Sequence, residues 1–345
     1  MERLVVCKKL ANIFRKKPRV YMNILDTPDA RHLHESRQKM YASIDAYRQS
    51  FIDPKTGQVR AELTEYRACP VCDATDHFAL FGKNGGLYVR CRSCDMVFLN
   101  PVLKDAELAR YYQNNTAAQA MAHVGEADFY RRIYSTGLDL LTQHAHIGSI
   151  LDIGCSSGLF LDMAEARGYK TFGIELNREE LQIAQKKGHR VWGNELLDLD
   201  PTQRFDAICL WDVFEHIKDG VGYLKQLALH TSTPDSLVFM QIPSAASFAA
   251  RVMREKCNVF DGIEHVNLYS PSTIAATAQR AGFDIVAMES VIDELKPTLN
   301  YLRFDDPYLG SFSSSPDLSF LDANTIHANK LGYKLQVVLR QCFDQ

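Results

Sequence analysis

Beyond Ser149, short apolar runs bounded by turn residues alternate with stretches of helical period. The runs predict strands at 149–153, 170–175, 189–192, 205–211, 236–242, 283–291 and 333–340. Strands separated by helices imply a parallel sheet covered on both faces, an α/β fold. One helix carries clear boundary signals: Ser270 as N-cap, Pro271 at the first helical position, and Gly282 just past its end. Upstream, helical period returns at about 128–145 and at about 30–47, and 53–57 reads as a turn. Between 68 and 101 the pattern differs. It is short, rich in cysteine and glycine, and has strand-like pieces at 86–90 and 96–99.

Length bounds the domain count. The 345 residues hold one full α/β domain plus a smaller module, since domains run to about 100–200 residues. Net charge is −3, which argues against a dedicated nucleic-acid binder, because such proteins carry a basic surplus. No apolar run approaches the roughly 18–20 residues that cross a bilayer. The first twenty residues stand apart, with seven Lys or Arg against one Glu and Leu4, Val5, Leu10, Ile13 and Phe14 between them. They read as a basic amphipathic segment resting on an anionic membrane surface, or as a partly ordered arm with solvated charges.

Cysteine placement adds chemistry. Cys69 and Cys72, then eighteen residues, then Cys91 and Cys94 fit a four-cysteine zinc ribbon, in which two turns each present two thiolates. Four sulfur ligands leave no open position, so such a zinc ion would be structural. The other five cysteines are scattered, as in a reducing compartment, and a cytoplasmic location is expected.

The run Ser149-Ile150-Leu151-Asp152-Ile153-Gly154-Cys155-Ser156-Ser157-Gly158-Leu159 reads as a buried strand, a small-residue turn and a helix start. Such a turn lets the backbone approach a ligand and aims free helix N–H groups at it. Glu175 closes the second strand, where an acid accepts ribose hydroxyls. A dinucleotide turn needs glycine at its first, third and sixth positions, and here Ser156 and Leu159 fill two of them. The Asp-x-Gly-x-x-x-Gly spacing instead resembles motif I of class I S-adenosylmethionine (SAM)-dependent methyltransferases.

Taken with the cysteine pairs and the strand ending at Trp211, the chain resembles the zinc-ribbon-bearing branch of small-molecule class I methyltransferases, related to the ubiquinone-biosynthesis O-methyltransferases. The resemblance covers 69–112 and 149–284 but not 1–60. It implies a seven-stranded Rossmann-like sheet with helices on both faces, plus a small N-terminal ribbon. It divides the chain into a basic arm and helix (1–60), a ribbon module (61–112), and a catalytic domain (113–345) with an insert at about 293–331. It further implies that Asp152, Gly154, Cys155, Ser156 and Gly158 form the cofactor turn. Glu175 would hold the ribose, Leu176 beside it would belong to the cofactor site, and Asn194 and Glu195 would reach the adenine edge. Trp211 and Asp212 would meet the methionine end, with the Trp211 ring as a pocket wall. Ser156 departs from the family's usual glycine; if the position needs positive φ, serine costs about 1 kcal/mol.

Methyl transfer to a hydroxyl needs a base, and histidine suits it. His216, after the fourth strand, and His265, after the fifth, lie where the fold puts its ligand side, and His216 is preferred as the base. Pinning a loop is the alternative role for each. Tyr301, Phe304, Tyr308 and Phe312 of the insert could cover an acceptor or pack on the core, and Arg131 and Arg132 could pair with the cofactor carboxylate or be solvated. The expected activity is methylation of a small molecule, at oxygen. RNA methylation with the ribbon as dock, and a non-catalytic SAM-binding relative, are the alternatives.

Overall fold

The computed structural model describes residues 47–112, 127–146, 148–310 and 320–342. The basic N-terminal segment, the predicted helix at 30–47 apart from its last residue, and Phe312 lie outside the described residues. No helix among the described residues is long and apolar enough to cross a membrane.

Seven strands form the main sheet: β6 (Ser149–Ile153), β7 (Lys170–Ile174), β8 (Arg190–Trp192), β9 (Ala207–Trp211), β10 (Leu237–Pro243), β12 (Phe283–Val291) and β13 (Lys334–Gln341). Their spatial order is β12-β13-β10-β9-β6-β7-β8. The pairs β6–β7, β7–β8, β6–β9 and β9–β10 are parallel, and β13 runs antiparallel to both of its neighbours. The predicted strands therefore all form, with ends displaced by at most two residues.

Five helices pack beside the sheet: α1 (Ala127–Thr142), α2 (Leu159–Ala166), α3 (Arg178–Lys186), α4 (Gly220–Ala228) and α6 (Pro271–Arg280); the short α5 (Phe248–Met253) follows β10. Alternation along β9 divides the core. Cys209 and Trp211 face the cluster containing α1 and α2, whereas Ile208 and Leu210 face the cluster containing α4 and α6. The Ser270 signals hold: its side chain accepts the Thr273 N–H in a capping box, with Pro271 behind it.

A second sheet carries the cysteines: β2 (His77–Lys83), β3 (Gly86–Cys91) and β4 (Val97–Leu99). It does not close on itself. Its order is β11-β4-β3-β2, and β11 (Asn267–Leu268) comes from the catalytic part of the chain, starting two residues after His265. Arg67 reinforces the junction by donating to Val266 O at 2.6 Å and to Asn267 Oδ1 at 2.9 Å. The expected ribbon module is thus completed by a strand from far downstream. A two-stranded pairing of β1 (Thr64–Glu65) with β5 (Val102–Leu103) flanks it.

The insert between β12 and β13 contains α7 (Leu295–Leu302) and α8 (Ala323–Ala328). Its aromatics divide. The Tyr308 hydroxyl accepts the Asn258 N–H at 2.9 Å and so packs inward, while Phe304 is fully exposed.

Candidate active site

The carboxyl ends of the parallel strands share one edge. The chain reverses direction across the sheet at β6, which pairs with both β7 and β9. In open α/β sheets a ligand crevice forms at such a switch point. The turn after β6 lies there. Gly154 adopts φ 74°, and a Cβ on it would meet Val213 Cγ2 at 2.8 Å. Gly158 (φ 83°) starts α2, and its added Cβ would strike the His189 ring at 2.8 Å. His189 is itself a packing residue, held by Asp162 at 2.7 Å. Ser156 sits at φ 50°, so serine occupies a left-handed position where glycine is unstrained. Its Oγ donates to Glu180 Oε1 at 2.8 Å.

Glu175 lies one residue past β7 and is buried. Its carboxylate accepts the Ser156 N–H at 2.8 Å and the Asn177 N–H at 2.7 Å, binding the turn to the second strand. Burial raises its pKa, and the nearby Glu180 adds to the effect. Asp152 is buried below the turn, and its Oδ1 has no partner among the described residues. Burial, then the charge of Glu175, push its pKa well up. A cleft of about 210 Å³ opens over this turn, lined by Ala127, Tyr130, Tyr134, Cys155, Ser156 and Leu159 among others. A bare turn that excludes a Cβ, an orphaned carboxylate oxygen and a ribose-type acid beside them fit a sulfonium nucleoside such as SAM.

Other expected residues divide. Leu176 is 56% exposed beside Glu175. Asn194 and Glu195 follow β8, one strand beyond Glu175, whose N–H donates to Trp192 O at 3.0 Å. Trp211 departs from expectation. Its ring is buried among Tyr134, Phe160 and Phe239, with centroids at 4.7, 5.2 and 4.5 Å, so it fills the core and does not wall the cleft. Large aromatic area is best spent in that interior. Asp212 (φ 54°) accepts from Gln241 Nε2 at 3.1 Å and forms an ion pair with Lys334. Arg131 is engaged with Asp128 at 3.8 Å on an exposed face. Tyr130 and Tyr134 supply α1's aromatic side of the cleft; their i, i+4 spacing in the sequence signals only a helix face.

The two histidines meet. His216, in the turn after β9, and His265, just ahead of β11, have ring centroids 5.0 Å apart. His216 Nδ1 lies 3.0 Å from Glu264 O and 2.8 Å from the Tyr112 hydroxyl. His265 Nδ1 lies 2.7 Å from Val259 O. A carbonyl only accepts, so the His265 Nδ1 carries the proton and its Nε2 is left to act; at His216 the same tautomer satisfies the Glu264 carbonyl, with the Tyr112 hydroxyl as a second partner of Nδ1. Each Nε2 is 4.0 Å from Glu215 Oε1. Ligand atoms of Glu215, His216 and His265 all lie within 4.8 Å of one another, a spacing that would also admit a cation. Sequence alone gave no reason to choose Glu215 or Tyr112.

Electrostatics separate the rings. Burial, then the neighbouring His265, lower the His216 pKa to about 4. Burial works against charge on His265 too, but the carboxylates of Asp261 and Glu215 outweigh it and raise its pKa. Burial and the charge of Asp212 push Glu215 to about 8. Of the two rings, His265 is therefore the readier to take up a proton, which is what a base must do.

The four ribbon cysteines also converge. Cys69 and Cys94 sulfurs are 3.4 Å apart, Cys72 and Cys91 are 3.5 Å apart, and all four lie within 4.8 Å. Four thiol sulfurs that close suit a tetrahedral thiolate metal such as zinc.

The strand order, the reversed last strand and the acids ending the first two strands define a class I SAM-dependent methyltransferase. The chain belongs to the methyltransferase-domain family, which matches residues 104–288, more than half its length. A ubiquinone biosynthesis O-methyltransferase of Nitrosospira multiformis is 23% identical over 164 residues, 43% of this chain and 68% of that protein. Its counterpart in Chromobacterium violaceum is 29% identical over 92 residues, 24% of this chain and 40% of that protein. Among solved structures, magnesium protoporphyrin IX methyltransferase of Synechocystis aligns over 69% of this chain and all of its own, with 13% identity and a TM-score of 0.45.

Proposed function

We propose that this chain moves the methyl group of SAM to a hydroxyl oxygen of a small-molecule acceptor, with His265 as the base. One observation carries the reading. Three residues past Val213, whose side chain closes on Gly154, His216 meets His265, and the two imidazoles are locked by main-chain carbonyls so that both Nε2 atoms face the same buried carboxyl. The acceptor oxygen forms a bond to the methyl carbon as the carbon–sulfur bond breaks, and that electron pair goes to sulfur. The hydroxyl proton goes to His265 Nε2. Alignment of oxygen, carbon and sulfur supplies much of the acceleration. His216 stays neutral and packs against His265, and Glu215 bridges the two rings. The ubiquinone O-methyltransferase relatives support oxygen as the target.

In this reading Asp152, Gly154, Ser156, Gly158 and Glu175 bind SAM. Leu176, Asn194 and Glu195 face its adenine, and the main chain at Trp211 and Asp212 meets its methionine end. Cys69, Cys72, Cys91 and Cys94 hold a structural zinc ion, and the protein works in the cytoplasm.

The test is a screen of metabolite extracts with radiolabelled SAM and purified protein, the labelled product being identified by mass spectrometry. A labelled methyl ether is expected. Label appearing only in RNA, or on carbon or nitrogen, would sink the acceptor assignment. Elemental analysis should find one zinc per chain, and its absence from fresh protein would remove the metal assignment.

A further inference from the structure

The turn that carries His265 is held from an unexpected quarter. Asp261 Oδ1 accepts main-chain N–H groups from Ile263, Glu264 and His265, each at 3.0 Å, so one carboxylate organises the whole turn. That turn delivers both rings, since it carries His265 and its Glu264 carbonyl fixes His216. The carboxylates of Asp261 and Glu264 are both shielded from water, an arrangement that repels itself unless a cation lies between them. The cation is Arg48. It is 4% exposed, and its Nη2 lies 3.2 Å from Asp261 Oδ2 and 3.3 Å from Glu264 Oε1. Its Nε donates to the Tyr111 hydroxyl at 2.9 Å, and that hydroxyl donates to Glu264 Oε1 at 2.8 Å.

We infer that Arg48, in the segment ahead of the ribbon, is a positioning residue for the imidazole pair: its guanidinium locks the 261–265 turn on which both rings depend. The inference rests on the reading of His265 as the base. A planar fork can meet Asp261, Glu264 and Tyr111 together, which a lysine ammonium cannot. The device accounts for a deeply buried arginine in a part of the chain that the family resemblance leaves uncovered.

The experiment is nitrogen NMR of the imidazoles in the full chain, on the alkaline side of neutrality, with S-adenosylhomocysteine as the probe ligand. In the unmodified protein both rings should show the Nδ1-protonated form. Arg48→Met should abolish that signature at His216 and His265, Arg48→Lys should restore it in part, and calorimetric affinity for S-adenosylhomocysteine should stay within about twofold, since the glycine turn is an independent site. Unchanged imidazole signals in Arg48→Met would overturn the inference. Should Arg48→Met not fold, Tyr111→Phe removes a single hydroxyl from the same network. A weakened His216 signature there supports the device, and an unaltered one overturns it. Full turnover by His265→Asn would remove the base reading without touching these spectra, so the two failures are distinguishable.

Discussion

The two halves of the site are built in opposite ways. The cofactor half is local: Glu175 reaches the Ser156 N–H across 19 residues, and Asn177 caps the next helix over two and three. The acceptor half is assembled from afar. Arg48 meets Glu264 across 216 residues, Tyr112 meets His216 across 104, and His216 meets Glu264 across 48. A local turn is fixed by its own few residues. A long-range cluster exists only when the ribbon, the segment ahead of it and the sheet are all in place. Cofactor binding and catalysis should therefore fail separately.

Removing the metal ligands is the strongest way to break that comparison. Metal binding to a structural thiolate site supplies about 10–16 kcal/mol in zinc-finger peptides. Cys91→Ser should release zinc and unfold β2–β4, and β4 is the partner of β11, two residues beyond His265. Turnover should be lost entirely, while SAM affinity by calorimetry falls by no more than about threefold, as expected of distant sites. Equal loss of both would show that the halves are not independent.

Next in size is the base itself. His265→Asn should cost about 10²–10⁴ in kcat, the usual worth of a positioned base. The pH profile separates the two rings. A base works unprotonated, and the His265 pKa is raised above 6.5, so the rate should climb with pH through that raised value and then level off. A break near 4 would instead assign the proton to His216.

How much of this was legible in the chain follows the same division. Every core strand, the glycine turn, Glu175 and the Ser270 cap could be read, because apolar period, turn chemistry and capping are local signals. Both histidines could be found but not ranked, since their pKa values depend on burial, then on His265 and Asp261 at His216 and on Asp261 and Glu215 at His265, an environment that only folding assembles. The place of the Trp211 ring was not legible for a related reason: strand position gives the end of β9, not the face on which the ring lies buried. The seam between ribbon and core was invisible, because two residues, Asn267 and Leu268, make too short a strand to leave a periodic trace.

A moderate effect is expected on the cofactor half. Glu175→Gln keeps the shape but leaves one acceptor oxygen where the carboxylate serves the N–H groups of both Ser156 and Asn177. Losing charged hydrogen bonds to ribose hydroxyls should weaken SAM binding by about 1.5–3 kcal/mol, roughly 10–150-fold. Imidazole spectra should not change. If His216 and His265 shift as well, the two halves communicate more closely than their construction implies.

The smallest effect sharpens the picture of the turn itself. At φ 50° Ser156 bears left-handed strain of about 1–2 kcal/mol, partly offset by its bond to Glu180, worth about 1 kcal/mol or somewhat more. Ser156→Ala keeps the strain and loses the bond, so urea unfolding should show a loss of about 1 kcal/mol. Ser156→Gly loses the same bond but relieves the strain, and should recover about 1 kcal/mol relative to alanine, ending close to the serine protein. If alanine and glycine prove equally stable, the turn is unstrained at this position, and serine stands there without conformational cost.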